Sequence, residues 1–341
     1  MKAISKLMKI TAAAAMAVSL AACSSGGSGG ADKPEDKPKT ELELVATLDQ
    51  AILGLASGKC DAVALDGTTA QNYVNQSDGA FAMTGINFDL EMYGQHEGNV
   101  AAAKKGETDL INAVNACIKT ATTTKVDPNF AHTYYTTWVA IAKKQSGTED
   151  EEAEGILADL NVPIFSDIAV DDTYNYLVDT TDLVKPELDL SNPTGRLAEV
   201  LAKGELVIAT SPDYPAAEFI TEDGVVYGNE MMLAKYIADC LGVKLVIETM
   251  DFNAVLTAVD TGKVDLALSG FGWKADREEA FELSTGYIGD SSVSFHTLIV
   301  PADKVAEYSS LEDFVGKHIM AQANSLQQMY VEDQIIALEG E

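Results

Sequence analysis

The stretch VDLALSGFGWKADR, from Val264 to Arg277, is the part of the sequence from which we predict the organisation of the rest of the chain. Its first five residues alternate as in a short, mostly buried strand. Small residues follow, so main-chain N–H groups at the strand end are open to a bound group, and a short helical turn then carries Arg277. A guanidinium can bind a carboxylate through two hydrogen bonds. The stretch is compatible with an anion-binding strand end, but also with an ordinary turn and a solvated arginine.

Composition and charge limit the class of protein. The chain has 341 residues, of which 47% are hydrophobic and 22% charged, so it can bury one large core or two modest ones. It carries 23 basic and 53 acidic residues, a formal net charge of -30. Nucleic-acid backbones and anionic membrane surfaces need clustered Lys and Arg. We therefore expect neither as a partner.

The N-terminal segment has the pattern of a targeting signal. Basic residues precede an apolar run, Ile10 to Ala22, that is too short to span a bilayer comfortably, and Cys23 follows directly. This resembles a bacterial lipobox, in which the cysteine is lipidated; a plain secretory signal with an incidental cysteine is the alternative. Residues 24–40 are rich in Gly, Ser, Pro and charge, which predicts a flexible tether. The expected location is extracytoplasmic, lipid-anchored to the bacterial cell membrane.

Three cysteines follow Cys23. Cys60, Cys117 and Cys240 form no C-x-x-C pair and have no nearby histidine, so we predict no metal site, and we expect no cofactor. Cys117 and Cys240 fall in predicted amphipathic helices, where a small buried thiol is expected. A disulfide between these two is the alternative.

Segments around the opening stretch extend its pattern. They are KGELVIATSPDYPAAEF (203–219), the run 242–270, and LEDFVGKHIMAQANSLQQMY (311–330). Together they resemble the first half of the solute-binding proteins of polar amino-acid ABC transporters, including the glutamine- and lysine/arginine/ornithine-binding members. Residues 48–74 and 101–118 resemble the second half of the same family. The resemblance implies an α/β fold of the type II periplasmic-binding-protein kind, with two lobes, each a mostly parallel sheet flanked by helices, and two hinge strands.

The two halves stand in reversed order. Joining the C-terminal end to the strand at Glu41 to Ala46 restores a β-α-β-α-β run, which indicates a circular permutation. A piece of a tandem gene, holding the back half of one domain and the front half of the next, is the alternative. Residues 126–191 resemble nothing in the family, and Asn192 is predicted to cap the helix that follows them, with Pro193 at its first position.

These patterns divide the chain into seven predicted segments. They are a signal peptide (1–22), a tether (23–40), lobe 2 (41–95), a hinge strand and closing helices on lobe 1 (96–145), a connector (146–191), lobe 1 (192–298), and a hinge and the rest of lobe 2 (299–341).

The resemblance also implies a set of ligand-binding residues. They are an aromatic pair that sandwiches the ligand (Tyr214, Phe252), contacts to its α-carboxylate (Ser269, Gly270, Gly272, Arg277), a loop that opens a lobe-2 helix (Asn324, Ser325, Gln327), and a carboxylate for its α-ammonium (Asp66). Core packing for the aromatics and helix capping for Asp66 are the alternatives. Gly272 stands where the family often has Thr or Ser, and Ser211 replaces an Asp that some members use, so the ligand's identity stays open.

The resemblance implies a monomeric, membrane-tethered protein that captures an amino acid between its lobes and delivers it to an ABC transporter permease, without catalysis. Two other classes remain open. A dehydratase-like enzyme on the same fold would need an acid or base aimed into the cleft, and no His or Glu in the recognised motifs has that role. The other is an extracellular amino-acid sensor module.

Overall fold

The computed structural model describes residues 39–93, 98–160, 170–221, 223–287 and 295–340. The predicted signal peptide, the lipidation site Cys23 and nearly all of the tether lie outside these ranges. None of the described helices is both long and apolar enough to cross a membrane.

The first of two five-stranded sheets takes strands from both ends of the chain. In spatial order they are β1 (Glu41–Val45), β13 (His318–Gln322), β2 (Ala62–Asp66), β12 (His296–Pro301) and β3 (Phe81–Asn87). The first three run parallel, whereas β12 is antiparallel to both of its neighbours. Because β13 lies between β1 and β2, the C-terminal strand occupies the interior of a sheet that N-terminal strands begin.

Helices cover both faces of this first sheet. The helix α1 (Leu48–Ala56) begins where the Thr47 hydroxyl accepts from the Gln50 N–H, as its sequence predicts. Its apolar residues pack with those of β2 on one face. On the other face lies α10 (Leu326–Gln334), which the Ser325 hydroxyl caps. The helix α2 (Gly67–Gln76) follows β2 directly.

The two ends of the described chain meet beside the first sheet. Five consecutive residues of β1 pair with β13, from Glu41 opposite His318 to Val45 opposite Gln322. The Gly316 N–H donates to the Thr40 hydroxyl at 2.9 Å, and the Thr40 N–H donates to the Glu339 carboxylate. Residues that are far apart in the sequence thus complete one sheet.

The second five-stranded sheet is formed by strands from the middle of the sequence. In spatial order its strands are β11 (Phe281–Leu283), β4 (Ala102–Lys104), β10 (Leu266–Ala267), β5 (Glu205–Thr210) and β9 (Lys244–Thr249). The strands β10, β5 and β9 are parallel, and β4 is antiparallel to β10 and β11. A small antiparallel sheet of β6 (Asp213–Tyr214), β7 (Glu218–Ile220) and β8 (Val226–Tyr227) stands apart from it.

Two local predictions about this region were wrong in detail. The strand predicted over 264–268 is only two residues long, because the Asp265 side chain accepts from the Val207 N–H at 2.8 Å in place of a main-chain carbonyl. The second concerns the helix predicted to begin after Asn192. This helix, α6 (Gly195–Lys203), begins after Thr194. Thr194 is extended because its N–H and hydroxyl both donate to the Asp109 carboxylate.

Helices pack around the second sheet. They are α3 (Thr108–Thr123), α4 (Tyr134–Ser146), α5 (Glu151–Leu160), α6, α7 (Asn229–Leu241), α8 (Phe252–Asp260) and α9 (Ala275–Ala280). We call each five-stranded sheet with its helices a unit, the first and the second. Most residues of α7 are buried, so this helix lies inside the second unit and not at its surface. Cys117 on α3 and Cys240 on α7 are free thiols in this core, as is Cys60 beside the first sheet.

The segment between the two family-like halves is part of the second core. Trp138 of α4 is 3% exposed, and its ring centroid lies 5.5 Å from that of Tyr236 on α7. Further along the segment, Tyr176, Leu177 and Val178 join the same apolar cluster. The connector is therefore bound along one side of the second unit by burial of apolar side chains.

The chain passes between the two sheets twice, from β3 to β4 and from β11 to β12. Parts of both passages, 94–97 and 288–294, lie outside the described residues. Where the passages adjoin the second sheet, Asn99 forms isolated antiparallel bridges with Gly272 and with Tyr287. The two passages therefore lie side by side at that point.

Replacing Trp138 with Ala should test whether α4, at the start of the segment between the two family-like halves, contributes to the core. Removing a buried aromatic side chain costs about 3–5 kcal/mol of unfolding free energy, measured by urea denaturation. The matched control is Leu53→Ala, because Leu53 is 52% exposed, and it should change stability by about 0.5 kcal/mol or less. Equal effects of the two substitutions would mean that α4 does not belong to the core.

Candidate ligand-binding site between the two sheets

The loop of residues 269–272 follows β10 and faces the first sheet. Ser269 is 1% exposed, and its hydroxyl oxygen accepts from the Ser211 N–H at 2.8 Å, which leaves the hydroxyl hydrogen able to donate. Gly270 has φ +60°, and a Cβ there would lie 2.9 Å from Cδ1 of Tyr214. A side chain at position 270 is therefore excluded by both backbone conformation and space.

Arg277 is a buried cation beside this loop. Its side chain is on α9 and 4% exposed, and its guanidinium lies 5.0 Å from the centroid of the Phe271 ring. Within the described structure it donates to the main-chain carbonyls of Gly272 and, at 3.0 Å, of Asn324. Burial lowers the pKa of Arg277 to about 10, partly offset by Asp276, so it remains charged at neutral pH. Both of these partners are neutral carbonyls, so neither of them compensates the positive charge of Arg277.

Asp66 ends β2 on the opposite side of the site. One carboxylate oxygen, Oδ1, caps α2 by accepting from the N–H groups of Thr68 and Thr69 at 3.0 and 3.1 Å. The other, Oδ2, is buried and accepts no hydrogen bond of ordinary geometry in the described residues, although the Tyr214 phenol lies beside this carboxylate. A buried acceptor without a donor is unfavourable by about 1–3 kcal/mol. Asp66 can thus cap its helix and still receive a ligand's ammonium group.

Tyr214 lies between Asp66 and the 269–272 loop. Its ring contacts the Gly270 backbone, and burial, followed by the Asp66 charge, raises the pKa of its phenol well above the ordinary value. Phe252 is 8% exposed and packs on Phe271 with a centroid distance of 4.7 Å. The two aromatics belong to different apolar clusters, Tyr214 with the first sheet and Phe252 with α8. They flank the site from two sides and do not stack on each other in the described structure.

The N-terminus of α10 brings the remaining predicted residues to the site. The Asn324 carbonyl receives Arg277, and its side-chain amide donates to Asn253 Oδ1 at 2.7 Å. Ser325 caps the helix by accepting from the Gln328 N–H at 3.1 Å. Gln327 is paired through Nε2 with Nδ1 of His296 at 2.9 Å. His296 lies opposite Asp66 in the pairing of β12 with β2, so Gln327 belongs to the Asp66 side of the site.

Leu326 explains one departure from the family pattern. Its side chain packs directly on Gly272, and a Cβ at position 272 would overlap Leu326 Cδ1. A hydroxyl-bearing residue at 272 would therefore require the Leu326 side chain to move. Sequence analysis missed this contact, because residues 272 and 326 belong to different segments and their spacing carries no periodic signal.

Asp213 is a second residue that sequence analysis missed. Its carboxylate accepts from the Ser211 hydroxyl at 2.8 Å, from the Leu48 N–H at 2.8 Å and from Gln322 Nε2 at 2.9 Å. Leu48 and Gln322 belong to the first sheet unit, so Asp213 links the two units. Burial raises the pKa of this carboxyl, and the hydrogen bonds from Leu48 and Ser211 partly offset the rise.

Two fully buried carboxyl groups lie behind the loop. Glu230, in the first turn of α7, accepts from the Gly270 N–H at 2.9 Å. This hydrogen bond occupies the main-chain donor that the resemblance assigned to the ligand. Both oxygens of Glu218 lack a hydrogen-bond partner in the described structure. Burial, and then the charge of Glu230, raises the pKa of Glu218 well above its ordinary value.

The raised pKa of Glu218 predicts a pH dependence of stability. As pH rises above the unfolded value of 4.5, the native state holds a proton that the unfolded state has lost. Unfolding free energy should therefore fall with rising pH, by at most about 1.4 kcal/mol per pH unit for this one group. Urea denaturation between about pH 5 and pH 8 covers the range in which a carboxyl group with a raised pKa loses its proton. Glu218→Gln should reduce the fall of unfolding free energy with pH over this range. An unchanged slope would show that Glu218 titrates normally.

Residues 206–303 match the family model of the bacterial extracellular solute-binding proteins, family 3. The probable ABC transporter extracellular-binding protein YckB of Bacillus subtilis is 33% identical over 131 residues, 38% of this chain and 44% of that protein. The arginine-binding extracellular protein ArtP of B. subtilis is 32% identical over 126 residues, 37% and 47% of the two chains. The cyclohexadienyl dehydratase of Pseudomonas aeruginosa is 27% identical over 129 residues, 38% and 47%.

The chain thus matches less than half the length of each of these curated relatives. The matched family segment contains β5, β9, β10 and the 269–272 loop, and it includes Tyr214, Phe252 and Arg277. Through residues 206–303 the chain is therefore related to the bacterial extracellular solute-binding proteins, family 3, with named amino-acid-binding proteins among its relatives.

Proposed function

We propose that the protein is an extracytoplasmic binding protein that captures a free amino acid between its two sheet units and delivers it to an ABC transporter permease. The observation that carries this proposal is a pair of unsatisfied opposite charges across one site. Arg277 on the second unit is a buried cation with carbonyl partners, and Asp66 on the first presents a buried unpaired oxygen. A zwitterion carries the two complementary charges.

The α-carboxylate would bind Arg277 and the Ser269 hydroxyl. A carboxylate makes stronger hydrogen bonds to a guanidinium than neutral carbonyls do, so it can displace the Gly272 and Asn324 oxygens from Arg277. The α-ammonium would bind Asp66 Oδ2, and Tyr214 and Phe252 would line the ligand's apolar surface. Gly270, Gly272, Asn324, Ser325 and Gln327 would shape the walls of the site.

Ligand binding would favour the closed arrangement of two lobes. Each lobe supplies only part of the ligand's partners, so the closed state gains free energy only when the ligand is present. In this proposal lobe 2 consists of residues 41–95 and of the chain from β12 onwards, and lobe 1 of residues 96–145 and of residues 192 up to the passage before β12, with 146–191 as the connector. The boundary expected between 298 and 299 falls inside β12 (His296–Pro301), all of which pairs in the first sheet. The reversed order of the halves is a circular permutation, and one chain, as a monomer, supplies the whole site.

Attachment to the cell membrane through lipidated Cys23 belongs to the same proposal. It is supported by the lipobox-like pattern of residues 1–23 and by the extracellular relatives. A lipid-anchored binding protein meets its permease by diffusion along the membrane, so no basic surface patch is required.

A dehydratase-like enzyme is the second candidate, because one relative is a cyclohexadienyl dehydratase. The buried His296, held by Gln327 and opposite Asp66, is the titratable group that this candidate would use. Burial lowers the pKa of His296, so it would act as a neutral base. Turnover of a bound ligand, followed by mass spectrometry of the ligand, separates this candidate from simple binding.

A thermal-shift screen of the Cys23→Ser chain against the twenty amino acids, including L-arginine, tests the proposal. A ligand at a hundred times its Kd adds about 2.7 kcal/mol to stability, so at least one amino acid should raise the melting temperature clearly. Arg277→Ala and Asp66→Asn should each weaken binding of that amino acid by about a hundredfold or more, because each leaves a buried ligand charge without its partner.

Two matched controls accompany these variants. Arg196→Ala removes an arginine that is paired with Glu199 on α6, and Asp78→Asn changes an exposed aspartate. Both should leave the Kd unchanged. If no amino acid stabilises the chain, or if the site variants bind as tightly as the controls, the proposed function is wrong.

A further inference from the structure

We propose that Glu230 is a positioning residue for the candidate carboxylate-binding loop, holding Gly270 directly and Gly272 through Asn99. The inference deepens the proposed function and rests on it for the identity of the bound group. The hydrogen bonds that Glu230 makes are independent of any ligand.

The first contact is to the main chain of the loop. Glu230 is 0% exposed, and its Oε2 accepts from the Gly270 N–H at 2.9 Å. Gly270 is the residue with φ +60°, against which the Tyr214 ring packs. Fixing this N–H therefore fixes both the turn of the loop and the surface on which Tyr214 lies.

The second contact ties the loop to the passage between the sheets. The other oxygen of Glu230, Oε1, accepts from Asn99 Nδ2 at 2.8 Å. Asn99 forms an antiparallel bridge with Gly272, and the next residue, Val100, donates its N–H to the Phe271 carbonyl at 2.7 Å. One carboxylate thus holds residue 270 directly and, through Asn99, reaches the segment that pairs with 271 and 272.

The chemistry of these contacts suits a carboxylate at position 230. Both partners are donors, a main-chain N–H and a side-chain NH₂ group, so the residue between them accepts twice. A glutamine could accept from Gly270 but would turn its own NH₂ group towards Asn99, whose amide would have to rotate to offer its oxygen instead. Glu218 lies equally deep beside Gly270 and Glu230, yet it does not accept from the Gly270 N–H, which donates to Glu230. The two buried acids therefore have different tasks.

A donor–acceptor exchange tests the proposal by hydrogen–deuterium exchange of the full chain without ligand. Glu230→Gln alone should speed exchange of the 98–101 and 269–272 amides by about tenfold, as expected for one lost hydrogen bond. Adding Asn99→Asp places an acceptor opposite the new NH₂ group and restores the pair with the same total charge. This double variant should return exchange to within about threefold of the original chain. Glu279→Gln is the control for the loss of one charge, because Glu279 is exposed, and it should leave both segments unchanged.

The same variants are then titrated with whichever amino acid binds best in the thermal-shift screen. Glu230→Gln should weaken that Kd by about tenfold, and the double variant should recover most of the loss. Recovery is not expected if Glu230 only fills space, since neither substitution restores volume.

The outcomes separate this proposal from the proposed function. If no amino acid binds, the proposed function fails while the exchange rates still decide whether Glu230 holds the loop. Unchanged exchange in Glu230→Gln, or a double variant that is no better than the single one, overturns the proposal. If Glu230→Gln does not fold, Asn99→Ala tests the same hydrogen bond, and this variant is expected to fold because Asn99 is half-buried. Faster exchange of the Gly270 amide in Asn99→Ala supports the proposal, and unchanged exchange contradicts it.

Discussion

The parallel pairing of β13 with its two neighbours, β1 and β2, is the contact on which the arrangement of the site depends. The pairing with β1 joins residues 41–45 to residues 318–322 over five consecutive positions, and it therefore brings the two ends of the described chain into one sheet. On the other side of β13, Ile319 and Met320 pair with Ala62 and Val63, which places Asp66, at the end of β2, close to the N-terminus of α10. Without the pairing of β13 with β2, the first sheet would divide into two incomplete parts, and Asp66 and Asn324 would not share a site.

Each of the two units contributes one charged group to the candidate site. The second sheet unit contributes a guanidinium, and the first contributes a carboxylate with one unused oxygen. Contacts between the units already join them, through Asp213 to Leu48 and Gln322 and through Leu326 on Gly272. These contacts use hydrogen bonds and packing that do not consume the two charges. The units can thus approach each other while the charges remain available to a zwitterion.

Local patterns in the sequence predicted local structure well. The helix α1 begins where the nearby residues Thr47 and Gln50 predict it, since capping depends on residues within one turn. Asp66 caps α2, which was the alternative to its predicted role in binding the ligand. Predictions failed where a side chain bonded to the main chain: Asp265 accepts from the Val207 N–H and shortens β10, and Asp109 accepts from Thr194 and delays the start of α6. The predicted ligand residues do collect around one region, and their roles remain a proposal. Asp213, Leu326 and Glu230 could not be predicted, because each acts through residues from another part of the chain.

The most direct measurement is the proximity of the two ends within one molecule. Spin labels at Thr40→Cys and Glu339→Cys, in a chain with Cys23 and Cys240 replaced by Ser, report it by dipolar broadening; Cys60 and Cys117 are buried. If one chain completes its own first sheet, the labelled protein is a monomer by light scattering. Its broadening then persists when it is refolded with an excess of unlabelled protein. Absence of broadening, or broadening that disappears on such dilution, would mean that the halves belong to different chains and would contradict a single site within one molecule.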